Sequence, residues 1–332
     1  MTAHAGKRGN CAGSADKSPS DSISALEHCP DWRERTHIVP GCGRAFLLRL
    51  AWFLSRQRIP WLHWSEHSWP KRRSRLTFYI KRLYGLLVDR NALGALAIGE
   101  LARQEFIRWG IRAEKIRFLP YAVSAVRAFT QTEEADTGVP GIPRFLFLGS
   151  LCENKGIDLL LAAMSAVLAE CPNAQLELAG RDRSGGGYRH EAEQLGISDA
   201  VNFSGVVKAD VVGTVLSRCD VLVLPSRHDG WGVVLNEAAS AGKAIIASDR
   251  CGAAFHVVRP GVNGFRVPAG DQAALRDAML AYCTDPGLAE RHGRESLRVF
   301  QDFTPARNAL RFERALRSLQ DADNGSGLAW EA

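Results

Sequence analysis

Apolar residues recur along this chain with two alternating spacings. Short apolar runs of strand length alternate with longer stretches in which apolar positions fall every three or four residues. The first pattern reads as β-strand and the second as helix. The alternation is clearest in the second half. Strands are predicted at 144–149, 175–179, 201–205, 220–224, 244–248 and 264–267. Helices are predicted at 156–170, 188–195, 209–217, 232–241, 271–283 and 286–299. Strands that alternate with helices imply a parallel sheet covered on both faces. Ligands of such sheets sit beyond the carboxyl ends of the strands.

The first half follows the same rhythm more weakly. Thr36–Pro40 reads as a strand ending at Gly41-Cys42-Gly43, and Ala45–Arg56 as a helix. Trp61–Trp64, Ala92–Ile98 and Ile116–Pro120 read as further strands, with a helix over Glu100–Trp109. Residues 72–88 form a basic, aromatic helix in which Leu76, Ile80, Leu83 and Leu87 keep helical spacing. Residues 1–35 are polar and aperiodic, and are expected to be disordered. Residues 130–142 read as a linker. The expected division is a partial domain over 36–129, a second domain over 143–302 and a C-terminal helix over 303–320 that packs back on the first domain.

With 332 residues the chain can hold two domains. It is 46% hydrophobic and 23% charged, the balance of a soluble globular protein. It has no run of 18 apolar residues, so a spanning helix is not expected. The polar N-terminus has no signal-like apolar core. Eight cysteines are scattered without metal-ligand spacing, which suits reduced thiols and a cytoplasmic location. Charge is uneven. Residues 1–133 hold 22 basic and 11 acidic side chains, and the remainder 20 and 25. A basic first half suits an anionic partner such as membrane lipid or a phosphorylated acceptor. No recognition motif accompanies the charge, so nucleic acid is not an expected partner. Helix 72–88 carries Arg72, Arg73, Arg75, Lys81 and Arg82 beside its apolar positions, a composition suited to an anionic membrane surface. A domain-packing helix with a basic outer face has the same composition.

The candidate chemistry concentrates at 226–237. Asp229 and Glu237 have seven residues between them, and the turn Gly230-Trp231-Gly232 opens a helix. A glycine turn at a helix start presents free N–H groups and a positive dipole end, which suit a phosphate. Eight helical residues rise roughly 12 Å, about the reach of a diphosphate between two sugars. Paired acids at this spacing also occur on solvated helices. Lys155 lies in the loop after the 144–149 strand, where a lysine can reach a phosphate. Arg181 and Val206 follow glycines that end two further strands.

These elements together resemble the retaining glycosyltransferases of family 4, which have the GT-B fold of two facing Rossmann-like domains. The resemblance rests on the acid-x7-acid stretch Asp229–Glu237, on Gly149…Lys155-Gly156, and on Ala238–Asp249, Gly252 and Val262-Asn263-Gly264. It runs over residues 144–285. It implies an α/β fold and a nucleotide-sugar donor, UDP- or GDP-linked, with no metal. It implies that Asp229 holds sugar hydroxyls and Glu237 the ribose. Lys155, Arg181, Val206, Gly230, Trp231 and Gly232 would complete the donor site. His67, with Glu66 beside it, resembles the family's acceptor-side histidine, whereas His63 is expected to pack within its strand. The acceptor implied is a glycan or a lipid-linked sugar, in surface polysaccharide synthesis on the inner membrane face.

The sequence departs from that family in three places. Ser150 stands where an arginine is usual, Asp229 replaces the usual Glu, and the first βαβ unit of the acceptor domain has no counterpart. These departures keep open a non-catalytic nucleotide-sugar-binding subunit that needs a partner. A nucleotide-sugar epimerase of similar architecture is a third class, whose acidic and histidine constellation is not evident.

Overall fold

The computed structural model describes residues 31–68, 75–126 and 143–325. The first sheet is built from β1 (His37–Pro40), β2 (Trp61–Ser65), β3 (Gly94–Ala97) and β4 (Ile116–Phe118). The connecting helices are α1 (Ala45–Arg56), α2 (Arg75–Asn91) and α3 (Glu100–Arg108). The four strands are parallel and lie in chain order. β3 is buried at every position, as a strand covered on both faces must be.

The second sheet has six parallel strands: β5 (Arg144–Leu148), β6 (Gln175–Ala179), β7 (Val201–Gly205), β8 (Val221–Leu224), β9 (Ala244–Ser248) and β10 (Gly264–Val267). Around it lie α4 (Ile157–Glu170), α5 (Gly187–Gln194), α6 (Val212–Ser217), α7 (Val233–Ser240), α8 (Ala254–Val257), α9 (Gln272–Thr284) and α10 (Leu288–Phe300). The strand order is β10-β9-β8-β5-β6-β7. The chain winds outward in both directions from the β5–β8 pair, so the topological switch point lies there. β8 and β9 are buried throughout and apolar except for Ser248 at the end of β9. The sheet edge is drawn tight at Gly180, where a Cβ would stand 1.6 Å from the Gly149 carbonyl oxygen.

α11 (Pro305–Gly325) leaves the second unit and packs on the first sheet. Its Ala315 and Leu319 are buried with Leu62, Leu93, Leu96 and Leu119. The Asn308 amide donates to the Pro120 carbonyl at 2.9 Å, and Arg117 donates to Ser318 Oγ. The two sheets also meet through His256. Its ring stacks on Phe118 at 4.4 Å, and its Nε2 accepts the Glu100 N–H at 3.0 Å, at the start of α3.

Several sequence expectations need correction. Of the two readings of helix 72–88, the packing one does not hold for Leu76, Ile80 and Leu83: these side chains are 68%, 46% and 68% exposed. The buried face of α2 is Tyr84, Gly85 and Val88. Gly85 explains the choice, because a Cβ there would stand 2.3 Å from the Trp109 carbonyl oxygen. The missing side chain lets α2 press its narrow face against the end of α3. Disorder does not extend to residue 35. Trp32 is buried, stacks on Phe53, and its carbonyl accepts from His37 Nε2 at 2.7 Å. The short α8 was not foreseen. Residues 1–30, the linker at 130–142 and Arg72 and Arg73 lie outside the described residues. Among the described residues no helix is long and apolar enough to cross a membrane.

Candidate functional site

The loops that leave the carboxyl ends of the large sheet carry the candidate residues. Lys155 closes the turn Glu153–Lys155 after β5, and Asp229 follows β8. These strands are neighbours at the switch point, so the Lys155 ammonium reaches the Asp229 carboxylate and pairs with it. Both side chains are mostly buried. The backbone holds Asp229 rigidly. Its N–H donates to Arg250 at 3.0 Å and its carbonyl accepts from Gly252 at 3.1 Å. Arg227 anchors the same loop by donating to both Asp158 oxygens, at 2.7 and 2.5 Å. That hydrogen bonding holds the Asp158 carboxyl below the usual range.

Gly232 has φ +84°, and a Cβ there would stand 2.4 Å from Cys251 Sγ. Glycine therefore sets the sharp entry into α7. The structure places the Trp231 indole inside the fold, 1% exposed, with its N–H on Asn236 Oδ1 at 2.8 Å. The indole is therefore part of the core, and a donor contact of Trp231 could come only from its backbone. Glu237 sits further along α7 and lines a cavity of about 450 Å³ with Val123, Asp210, Gly213 and Val233. Arg181 is exposed beyond β6, and Val206 is 65% exposed beyond β7. Adjacent strands lie about 4.8 Å apart, so the ends of β8, β5, β6 and β7, which these loops leave, span roughly 14 Å.

Glu66 and His67 follow β2 and face this row from the small sheet. A Cβ on Gly230 would lie 2.2 Å from the Glu66 carboxyl carbon, so that carboxyl rests on the glycine turn. Burial, and then Asp229, push the Glu66 carboxyl up, with Lys155 opposing. The His67 ring meets the His228 ring edge-on at 4.5 Å. Burial, and then His228, push His67 down to about 4. Among the described residues neither His67 ring nitrogen forms a hydrogen bond, although the Gly230 carbonyl is near enough to favour the protonated ring slightly. A buried unpaired ring nitrogen calls for a further polar partner. Ser226 Oγ is likewise buried without a partner among the described residues. His63 is fully buried within β2, as its strand position predicts.

The site therefore joins Glu66 and His67 to Lys155, His228, Asp229 and Gly230, while Glu237, Arg181 and Val206 stand further along the large sheet. Residues 131–298, just over half of the chain, match the family model for glycosyl transferases group 1. The chain belongs to this family. The chain is 32% identical over 219 residues to a phosphatidyl-myo-inositol mannosyltransferase of Mycobacterium leprae, covering 63% of this chain and 55% of that protein. It is 31% identical over 169 residues to a lipopolysaccharide core biosynthesis mannosyltransferase, LpcC, of Rhizobium leguminosarum, covering 49% and 47%. The chain spans about half the length of the curated relatives it matches. Among solved structures, Anabaena HepE in complex with UDP superposes with a TM-score of 0.75 at 20% identity, over 90% of this chain and 82% of that one. HepE with UDP and glucose gives 0.73 at the same identity, over 90% and 81%. These likenesses establish a GT-B fold, with the first of the two sheets the smaller. Sequence reasoning missed His228 and Tyr121. His228 was in plain view beside Asp229, but only the tertiary fold sets its ring against His67. Tyr121 lies 6.4 Å from Trp231, and burial, with Glu66 adding to it, pushes its phenol up to about 12.

Proposed function

We propose that this transferase moves a hexose from a nucleotide diphosphate sugar, UDP- or GDP-linked, to a lipid-linked or glycan acceptor with retention at the anomeric carbon. The observation that carries the reading is the Lys155–Asp229 pair at the switch point, faced across the cleft by Glu66 and His67. Lys155 exchanges part of its pairing with Asp229 for the donor diphosphate. The N–H groups of Gly230, Trp231 and Gly232, at the α7 dipole end, stabilise the charge that builds on the leaving phosphate. Asp229 then accepts hydrogen bonds from sugar hydroxyls. Glu237 holds the ribose in its cavity, Val206 lies against the base through its backbone, and Arg181 adds charge at the rim. Neutral His67 and Glu66 receive the acceptor hydroxyl. Closure of the two sheets excludes water, which would otherwise compete as acceptor. In this reading the side chains and amides neutralise the diphosphate without a metal.

The relatives named as a phosphatidyl-myo-inositol mannosyltransferase and a lipopolysaccharide core mannosyltransferase support a lipid-linked acceptor. The outer face of α2 supports the same choice. Leu76, Tyr79, Ile80 and Leu83 are exposed there, with Arg82 among them. An apolar stripe beside basic side chains suits an anionic lipid surface, and we place the chain peripherally at the cytoplasmic membrane face in surface polysaccharide synthesis.

Calorimetry of the purified chain with UDP, GDP and ADP, with and without a linked hexose, tests the donor site. Selective micromolar binding of one nucleotide is expected, followed by transfer to a matching acceptor. Absence of binding to all of them would reject the donor reading. Binding without transfer would favour the non-catalytic subunit.

A further inference from the structure

Glu105 is 1% exposed on the inner side of α3, far from any motif. A buried carboxylate is costly unless charge and hydrogen bonds compensate it. Here they come from the loop that bears Glu66 and His67. The Glu105 carboxylate accepts the Ser68 N–H at 2.7 Å and the Ser68 hydroxyl at 2.5 Å. Lys81, on α2, donates to the same hydroxyl at 2.5 Å and to Glu105 at 3.3 Å. The Lys81 ammonium also lies 5.0 Å from the Trp109 ring centroid. Two helices, α2 and α3, thus converge on one serine, the residue after His67.

The convergence matters because the two candidate residues have little anchorage of their own. Among the described residues the His67 ring nitrogens have no hydrogen-bond partner. The Glu66 carboxyl reaches the opposite sheet, where it rests on Gly230. Their placement depends on the backbone that carries them. We infer that Glu105 is a positioning residue, which through Ser68 and with Lys81 fixes the 66–68 loop so that Glu66 and His67 face the Lys155–Asp229 pair. Glu105 touches no reacting atom. It acts through the loop, as a supporting group that holds a reactive one within a fraction of an ångström.

This inference rests on the transfer reading, and the full-length Glu105→Gln variant tests both separately. A glutamine keeps the shape but turns one acceptor oxygen into an NH2 group facing donors. With the loop loosened, kcat is expected to fall about tenfold to a hundredfold, with donor affinity unchanged within about twofold. The second readout is the His67 titration by NMR, which needs no activity. A released loop exposes the ring and moves its pKa up from about 4 toward 6.5. If Glu105 acted only through its charge, its loss would lower the His67 pKa further, since that charge favours the protonated ring. An upward shift with a selective kcat loss supports positioning. An unchanged or lower His67 pKa, or equal loss of donor affinity and kcat, overturns it. If the wild-type chain transfers no sugar, the titration still decides the positioning role while the transfer reading fails. Should Glu105→Gln not fold, Ser68→Ala leaves the Glu105–Lys81 pair in place, and the same readouts apply.

Discussion

At the scale of single residues, two groups divide the candidate donor site. Lys155 and Asp229 neutralise one another at the switch point, whereas Glu237 lines a separate cavity along α7. The two should therefore report on different parts of a nucleotide. Lys155→Ala is expected to weaken nucleoside diphosphate binding about tenfold, with little effect on the parent nucleoside. Equal losses for both ligands would remove Lys155 from the phosphate site. Glu237→Ala should weaken the nucleoside as well, by about tenfold to a hundredfold, the cost of hydrogen bonds to a charged group. Unchanged nucleoside affinity in calorimetry would take Glu237 out of the site. Trp231 shows how one motif residue can have two surfaces. Its indole is structural, held by Asn236, while its amide lies in the turn that opens α7, a distinction that residue type cannot convey.

At the scale of elements, α2 is the odd member. Its inward face is narrow because Gly85 lies against Trp109, and its larger apolar side chains are left outside. If they meet lipid, Leu76→Ser with Leu83→Ser should abolish co-sedimentation with vesicles containing anionic lipid. Thermal stability should change by less than about 0.5 kcal/mol, as at most surface positions. Retained co-sedimentation would sink the lipid assignment of this face. The helical period of residues 76–87 was legible in the sequence, but its direction was not. Period gives a stripe, and only the packing partner decides whether that stripe faces in or out. The β/α order of the large unit was legible for the opposite reason. Its central strands β5, β8 and β9 are mostly apolar and buried on both faces, so there was little direction to choose.

At the scale of the whole molecule, the two sheets are held together by α11 and by the His256 contact with α3. Leu319 is 1% exposed against the first sheet. Leu319→Ala should cost about 2–4 kcal/mol of stability in denaturant titration. A loss below 1 kcal/mol would show that the strap contributes little. Acid should act on the same architecture. Burial lowers His63 to about 3, and His67 and His256 to about 4. In the unfolded chain these rings protonate near 6.5, so between pH 6.5 and 4 the unfolded state binds more protons. The stability held by the neutral rings is intact above pH 6.5 and is lost as pH falls toward the folded values. For His63, fully buried, the loss is on the order of 1.4 kcal/mol per pH unit across that window. Protonated His256 would also lose its acceptor role toward Glu100 and set a cation at a helix N-terminus. Unfolding free energy should fall from pH 7 to 5, and a flat profile would contradict the burial of these rings.

The sequence by itself determined the parallel β/α order of the large unit and the placing of Lys155, Arg181, Val206 and Asp229 on loops after strands. Local periodicity and glycine turns encode those features, and nothing distant is needed to read them. The tertiary structure alone decided which residues meet. The pairing of Lys155 with Asp229 depends on β5 lying beside β8, and the meeting of His67 with His228 depends on two sheets facing each other. The hold of Glu105 on Ser68 joins residues 37 positions apart with no motif between them. Such contacts depend on how separate elements pack, and no local pattern of apolar and polar residues records that.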